Sequence, residues 1–247
     1  CILCDVASPA SLASAVSQLT CRNGGSSLHL DCIINCASII RGGPMVEMDE
    51  ADMALVMEVN VLGATNTTKA FFPLLRRKGQ EASPKVINIA SEVSAARLSA
   101  AMNGPYSMSK FALEAYSTAL RQELSLLDDP VSVVVLNPGP VVTPLLTGQL
   151  SGGPNAFFER HAERHQMTLW SDQLRIGGRI ARSYMSRHAT TPDLVARTVV
   201  EVVHARQPAR RYKINVSWLM AVAAWTPQWI IDAALRIAMR RALPRLS

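Results

Sequence analysis

Lys85-Val86-Ile87-Asn88-Ile89-Ala90, then Pro105-Tyr106-Ser107-Met108-Ser109-Lys110, then Val131-Ser132-Val133-Val134-Val135-Leu136 are the segments that decide the fold of this 247-residue chain. The first and third are rich in β-branched residues and too apolar to face water on either side, the mark of strands buried between two layers. Between them Phe111, Ala115, Ala119 and Leu120 keep a helical spacing through Leu127, and Asp128-Asp129-Pro130 stops the helix. Strand, helix and strand in this order make a parallel pair joined by a crossover helix.

The alternation continues outward in both directions. Upstream, Leu30 to Cys36 reads as a buried strand, and Gly42-Gly43-Pro44 separates it from a helical stretch running from about Asp49 to Arg77. Before it, Cys1 to Val6 reads as a short strand. A helix through Leu12, Ala15, Val16 and Leu19 follows, ended by Gly24-Gly25-Ser26-Ser27. Downstream, residues 144–190 keep no single period and read as an insertion of loops and short helices. A helix from Pro192 to His204 and a last strand from Arg211 to Val216 complete the pattern. The expected fold is therefore α/β: a Rossmann-like, doubly wound parallel sheet in a single domain over residues 1–247, with neither repeat nor linker. An amphipathic tail occupies about 216–247.

Composition narrows the function classes. The chain is 49% apolar with a net charge of +6, and its surplus of arginine lies largely beyond position 174. No Lys/Arg block interleaves with aromatics, so nucleic acid is not an expected partner. All five cysteines fall within the first 36 residues and read as buried free thiols. Cys1-x-x-Cys4 and Cys32-x-x-x-Cys36 do not repeat a zinc spacing, and His161 and His165 lack the His-Glu-x-x-His order of a zinc protease, so no metal is expected. The chain begins with Cys, shows no signal peptide, and suggests a segment upstream.

In doubly wound sheets ligands bind beyond the carboxyl ends of the strands. Residues at such ends are Asp5, the segment Asn35-Cys36-Ala37-Ser38, Ser91, and Asn137-Pro138-Gly139-Pro140-Val141-Val142-Thr143. Asn60 lies within a helical stretch. Tyr106 and Lys110, four apart, share one helix face, where a nearby ammonium favours the phenolate and lowers a pKa otherwise near ~10.

Taken in order, these residues resemble the classical short-chain dehydrogenase/reductase family from Asp5 to about Val216, most strongly from Lys85 to Thr143 and in the Ser109-Lys110-Phe111-Ala112-Leu113-Glu114 continuation. The resemblance implies an oxidoreductase using NAD or NADP. Tyr106 would be the general acid/base, Lys110 would tune it and hold the nicotinamide ribose, and Ser91 would hydrogen-bond the reacting oxygen. Asn60 would anchor a water leading to Lys110. Cofactor contacts would come from Asp5 on adenine, from Asn35 and Ala37, from Tyr106 and Lys110, and from Pro138, Gly139, Val141 and Thr143 around the carboxamide. Ser91 stands fifteen residues before Tyr106 and Ser94 twelve, so either serine is open as the catalytic one. Asp5 and Asn60 also have plain readings, as a turn-forming carboxylate and as an asparagine satisfying backbone at a helix kink.

The family's glycine-rich turn, which seats the pyrophosphate on a helix N-terminus, is absent from these residues. By resemblance the chain starts at the family's third strand. In the family's order 3-2-1-4-5-6-7 that strand would have lost its neighbours, unless the segment Cys1 to Leu19 docks elsewhere. The expectation is weak nicotinamide binding by residues 1–247 alone. Leu145, Leu146, Phe157, Phe158, Met167, Leu169 and Trp170 in the insertion suggest a lipophilic alcohol or ketone, of steroid, retinoid or long-chain type.

Trp218, Trp225 and Trp229 with Arg236, Arg240 and Arg241 make the tail a segment that packs on the body, on a second subunit or on a membrane surface; it is too short and broken to span a bilayer. A cytoplasmic location follows, peripheral to an intracellular membrane if the tail binds one. Two other readings are a non-catalytic binding protein of the same fold and a sugar-nucleotide epimerase relative. The second is disfavoured by the short stretch after the last strand.

Overall fold

The computed structural model describes residues 1–22, 28–75, 83–99, 101–147 and 170–242. Four parallel strands, β1 (Cys32–Asn35), β2 (Lys85–Ile89), β3 (Ser132–Pro138) and β4 (Arg211–Ile214), pair in chain order. In register, Ile33 faces Val86 and Val86 faces Val133, while Ile34 faces Ile87 and Ile87 faces Val134. Side chains alternate across the pleat. One face buries Ile33, Val86 and Val133 with Leu75 and Leu124; the other buries Ile87, Val134 and Leu136 with Val202 and Ile214.

The helices are α1 (Pro9–Arg22), α2 (Glu50–Met57), α3 (Gly63–Leu75), α4 (Glu92–Ala95), α5 (Gly104–Leu126), α6 (Pro144–Thr147), α7 (Ser171–His188), α8 (Pro192–His204), α9 (Trp218–Ala223) and α10 (Gln228–Ala242). Leu75 of α3 and Leu124 of α5 cover the first face, and Val195, Val199 and Val202 of α8 cover the second. The strands are therefore sandwiched, as their unbroken apolar runs require.

Four expectations need correction. The cysteines are free thiols but not buried: Cys1, Cys21 and Cys36 are exposed, and Cys4 and Cys32 half-buried. The other three concern elements. Cys1 to Val6 is not a strand: no sheet neighbour pairs with it, and the segment instead leads into α1, which buries Leu12 and Ala15 against α3. Val6 fills the space over Gly63, where a Cβ would come within 2.8 Å of Val6 Cγ2. The segment thus docks on a helix, and β1 forms the sheet edge with Ile34 44% exposed. Second, the stretch from Asp49 is no single helix, because a five-residue π-helix, Glu58–Leu62, separates α2 from α3. Third, the region expected to hold loops and short helices contains the 18-residue α7, whose Leu174 and Ile176 are buried. Arginines at 175, 179, 182 and 187 obscure its apolar face in the sequence. His161, His165, Phe157, Phe158, Met167 and Leu169 lie outside the described residues.

Candidate active site at the carboxyl ends of the strands

β2 ends at Ile89, and the chain turns through Ala90 into α4. Ser91 caps that helix with extended backbone, its hydroxyl accepting from the Val93 N–H at 3.4 Å. Its carbonyl is fixed by Asn137 Nδ2 at 2.9 Å and by the Ser94 hydroxyl at 2.8 Å. So held, the Ser91 hydroxyl faces the phenol of Tyr106 and acts to lower its pKa. Ser94 points elsewhere: its hydroxyl also donates to Glu114 Oε1 at 3.2 Å, within a network of Asn137 and of Glu114 paired to Arg211. Of the two candidate serines, Ser91 is the one brought to the tyrosine.

Tyr106 sits in the first turn of α5 after Gly104-Pro105, a start that proline's fixed φ favours. One turn on, Lys110 is 3% exposed, donates to the Ile89 carbonyl at 3.0 Å, and lies 5.5 Å from the centroid of the Tyr106 ring. Burial pulls its ammonium down to about 8. The phenol departs from the sequence expectation: its pKa is raised, chiefly by burial, with the Ser91 hydrogen bond opposing and the Glu92 charge reinforcing. Desolvation outweighs the ammonium, which is directed at a carbonyl.

Asn60 occupies the π-helix and is buried. Its Oδ1 accepts from the Ile39 N–H at 2.8 Å, and its Nδ2 donates to the Ile39 carbonyl at 2.9 Å and the Ser109 hydroxyl at 3.0 Å. Its side chain thus ties the segment after β1 to α5 one residue before Lys110, matching the plain reading. π-turns are rare and recur at functional sites.

The remaining predicted residues divide. Pro138 and Gly139 end β3, and Gly139 is required: a Cβ there would lie 2.4 Å from the Asn215 carbonyl. Val141 bridges Thr190, and the Thr143 hydroxyl turns back to the Val141 carbonyl at 3.3 Å. Asn35 is buried and donates to Thr68 Oγ1 and Asn88 Oδ1 at 2.9 and 2.7 Å. Ala37 is exposed beside it. Asp5 is exposed, accepts from the Ala7 N–H at 3.0 Å, and forms a turn ahead of α1. With no strand at Cys1 to Val6, it does not stand at a strand end.

Several site neighbours have no signal in the spacing of motifs: Asn88, Ser117, Glu92 and Tyr184.

Ser38 Oγ is buried without a partner among the described residues. The Lys110 ammonium uses one of its three donors on Ile89. Both lie beside the strand ends, leaving polar capacity for a bound molecule that carries hydroxyls.

Comparison with known proteins places this geometry. Residues 1–152 match the family model described as short chain dehydrogenase. Human retinol dehydrogenase 5 is 30% identical over 210 residues, covering 78% of this chain and 59% of the relative. A 3-ketodihydrosphingosine reductase of Bacteroides thetaiotaomicron is 26% identical over 247 residues, covering 96% of this chain and 81% of its own length. An alcohol dehydrogenase from Thermococcus sibiricus, solved with 5-hydroxy-NADP, superposes with a TM-score of 0.60 at 21% identity, covering 85% of this chain and 71% of that one. The chain spans about three fifths of the human relative it matches. With over half its length matched by the family model, the chain belongs to the short-chain dehydrogenase family.

Proposed function

We propose that the protein is an NAD- or NADP-dependent oxidoreductase acting on a lipophilic alcohol or ketone, with Tyr106 as the proton-transfer group. The observation that carries this reading is the convergence of Ser91, Tyr106 and Lys110 at the end of β2. The cofactor, when bound, supplies the hydride chemistry. The unused donors of Lys110 suit ribose hydroxyls, and Ser38, Gly139 and Thr143 border the same strand ends.

Tyr106 delivers its proton to a carbonyl oxygen as negative charge grows there, and the Ser91 hydroxyl shares that charge through a hydrogen bond. A phenol held above its ordinary pKa stays protonated through neutral pH, which suits reduction. Asn60 sets the position of α5 through Ile39 and Ser109 rather than touching the reacting atoms. Retinol dehydrogenase and 3-ketodihydrosphingosine reductase as relatives support a lipophilic substrate, and so do the partly buried Leu145, Leu146 and Trp170 beyond β3. The test is NAD(P)H oxidation against a panel of ketones. Turnover of long-chain or polyene carbonyls well above short polar ones supports the reading, and a preference for sugars or short polar acids defeats it.

A second feature favours a peripheral membrane contact. Trp218, Trp225 and Trp229 are 73%, 91% and 71% exposed, and α10 adds exposed Ile230, Leu235 and Ile237 beside Arg236, Arg240 and Arg241. Tryptophan with arginine on a surface helix fits the headgroup region of a bilayer. No helix among the described residues is long and apolar enough to cross a membrane. Sedimentation with anionic liposomes that is lost on deleting residues 216–247 is the expected result; a soluble dimer indifferent to liposomes would assign the surface to a second copy.

A further inference from the structure

Glu92 follows Ser91 directly, is 5% exposed, and forms no ion pair among the described residues. Its carboxylate accepts from the Tyr184 hydroxyl at 2.9 and 3.0 Å and faces the backbone N–H of Ser217, which acts to lower its pKa. The Tyr184 and Ser217 hydroxyls are themselves 3.0 Å apart, and Ser217 caps α9 through the Met220 N–H. Glu92 Oε2 also borders Gly139, at 3.4 Å from where a Cβ would stand. One carboxylate therefore joins four segments: the Ser91 turn, the end of β3, α7 and the head of α9.

Burying a carboxylate without a cation is costly, and its own raised pKa reflects that desolvation. A glutamine or an apolar residue would fill the position at lower cost. What the carboxylate adds is several acceptor lone pairs at one point, enough to take two donors from segments far apart in sequence. Both donors come from the carboxyl-terminal half, which carries α7 in the insertion after Thr143.

We propose that Glu92 is a positioning residue that seats α7 and α9 on the catalytic turn, so that the wall on the substrate side is held in register with Ser91 and Tyr106. This rests on the oxidoreductase reading only for its kinetic consequence; the tie itself is a property of the folded chain. Tyr184, packed against His188 with ring centroids 4.7 Å apart and planes tilted by 40°, is the arm through which α7 is held. Asn215 Nδ2, bonded to the His188 carbonyl at 2.8 Å, fastens the end of the same helix.

Hydrogen exchange by peptide in Glu92→Ala, Glu92→Gln and Tyr184→Phe tests the tie. Glu92→Ala should speed exchange in 171–188 and 217–223 by roughly tenfold, the effect of one or two buried hydrogen bonds, with 132–138 unchanged. Tyr184→Phe should reproduce the change in 171–188. Glu92→Gln, whose amide oxygen still accepts from Tyr184, should restore most of the protection there. In turnover with a lipophilic ketone, Glu92→Ala should raise KM roughly tenfold while kcat stays within about twofold, since binding and not proton transfer is disturbed.

Unchanged exchange in α7, or equal acceleration everywhere including β3, overturns the proposal. A fall in kcat at constant KM overturns it as well. If the exchange pattern appears but no nicotinamide-dependent turnover is found, the tie stands and the oxidoreductase reading fails.

Discussion

At the scale of single residues, Lys110 shows how the site trades stability for chemistry. Its ammonium is held down to about 8 from 10.5, so the folded state binds that proton less tightly than the unfolded chain does. The cost is present in full below about 8 and is relieved as pH rises from there toward 10.5. That difference is worth about 3 kcal/mol, against which the lost hydrogen bond to Ile89 takes back about 1 kcal/mol. Lys110→Met should therefore be more stable than the wild type at pH 7 by about 1–2 kcal/mol, measured by urea unfolding, while losing turnover.

Glu92 gives a second test by pH. It raises the Tyr106 pKa, so Glu92→Gln should move the loss of reductive activity with rising pH to a lower pH. Tyr184, whose own pKa is raised by burial and in part by the Glu92 charge and hydrogen bond, shifts downward with the same substitution. A profile that does not move, or that moves upward, would show that the Glu92 charge does not reach the phenol.

Among secondary-structure elements, β3 bears most on both core and site. Its Leu136 is fully buried, and Asn137, next in the chain, fixes the Ser91 carbonyl. Leu136→Ala should cost about 2–5 kcal/mol in urea unfolding, as for other large-to-small core changes. The strands, α5 and α8 were legible in the sequence because β-branched runs and 3.6-residue spacing report burial directly. What was not legible depended on partners. Cys1 to Val6 has the composition of a strand, but a strand exists only where a neighbour pairs with it, and the segment found α3 instead. The π-turn at Asn60 and the length of α7 were hidden for a related reason: local spacing does not reveal the tertiary contacts that fix them. Tyr106, Ser91 and Lys110 were legible as a set. The direction of the Tyr106 pKa was not, since it turns on burial and on where the Lys110 ammonium points.

For the whole molecule, the order β1-β2-β3-β4 matches the expected order of the family's last four strands, with β1 at the edge. In the proposed reading, residues 1–247 hold Ser91, Tyr106 and Lys110 together at the strand ends without a glycine-rich phosphate turn. Fluorescence titration of these residues with NADH and NADPH should show weak binding, well short of saturation at micromolar cofactor; tight binding would show that other backbone donors replace the turn. The central claim is tested most directly by comparing the ketone reduction rate of the wild type and Tyr106→Phe at saturating NAD(P)H, with the fold of both checked by circular dichroism. The account predicts a loss of about a hundredfold or more in kcat for the folded variant, the scale of a missing general acid. A folded Tyr106→Phe that turns over at the wild-type rate would contradict it.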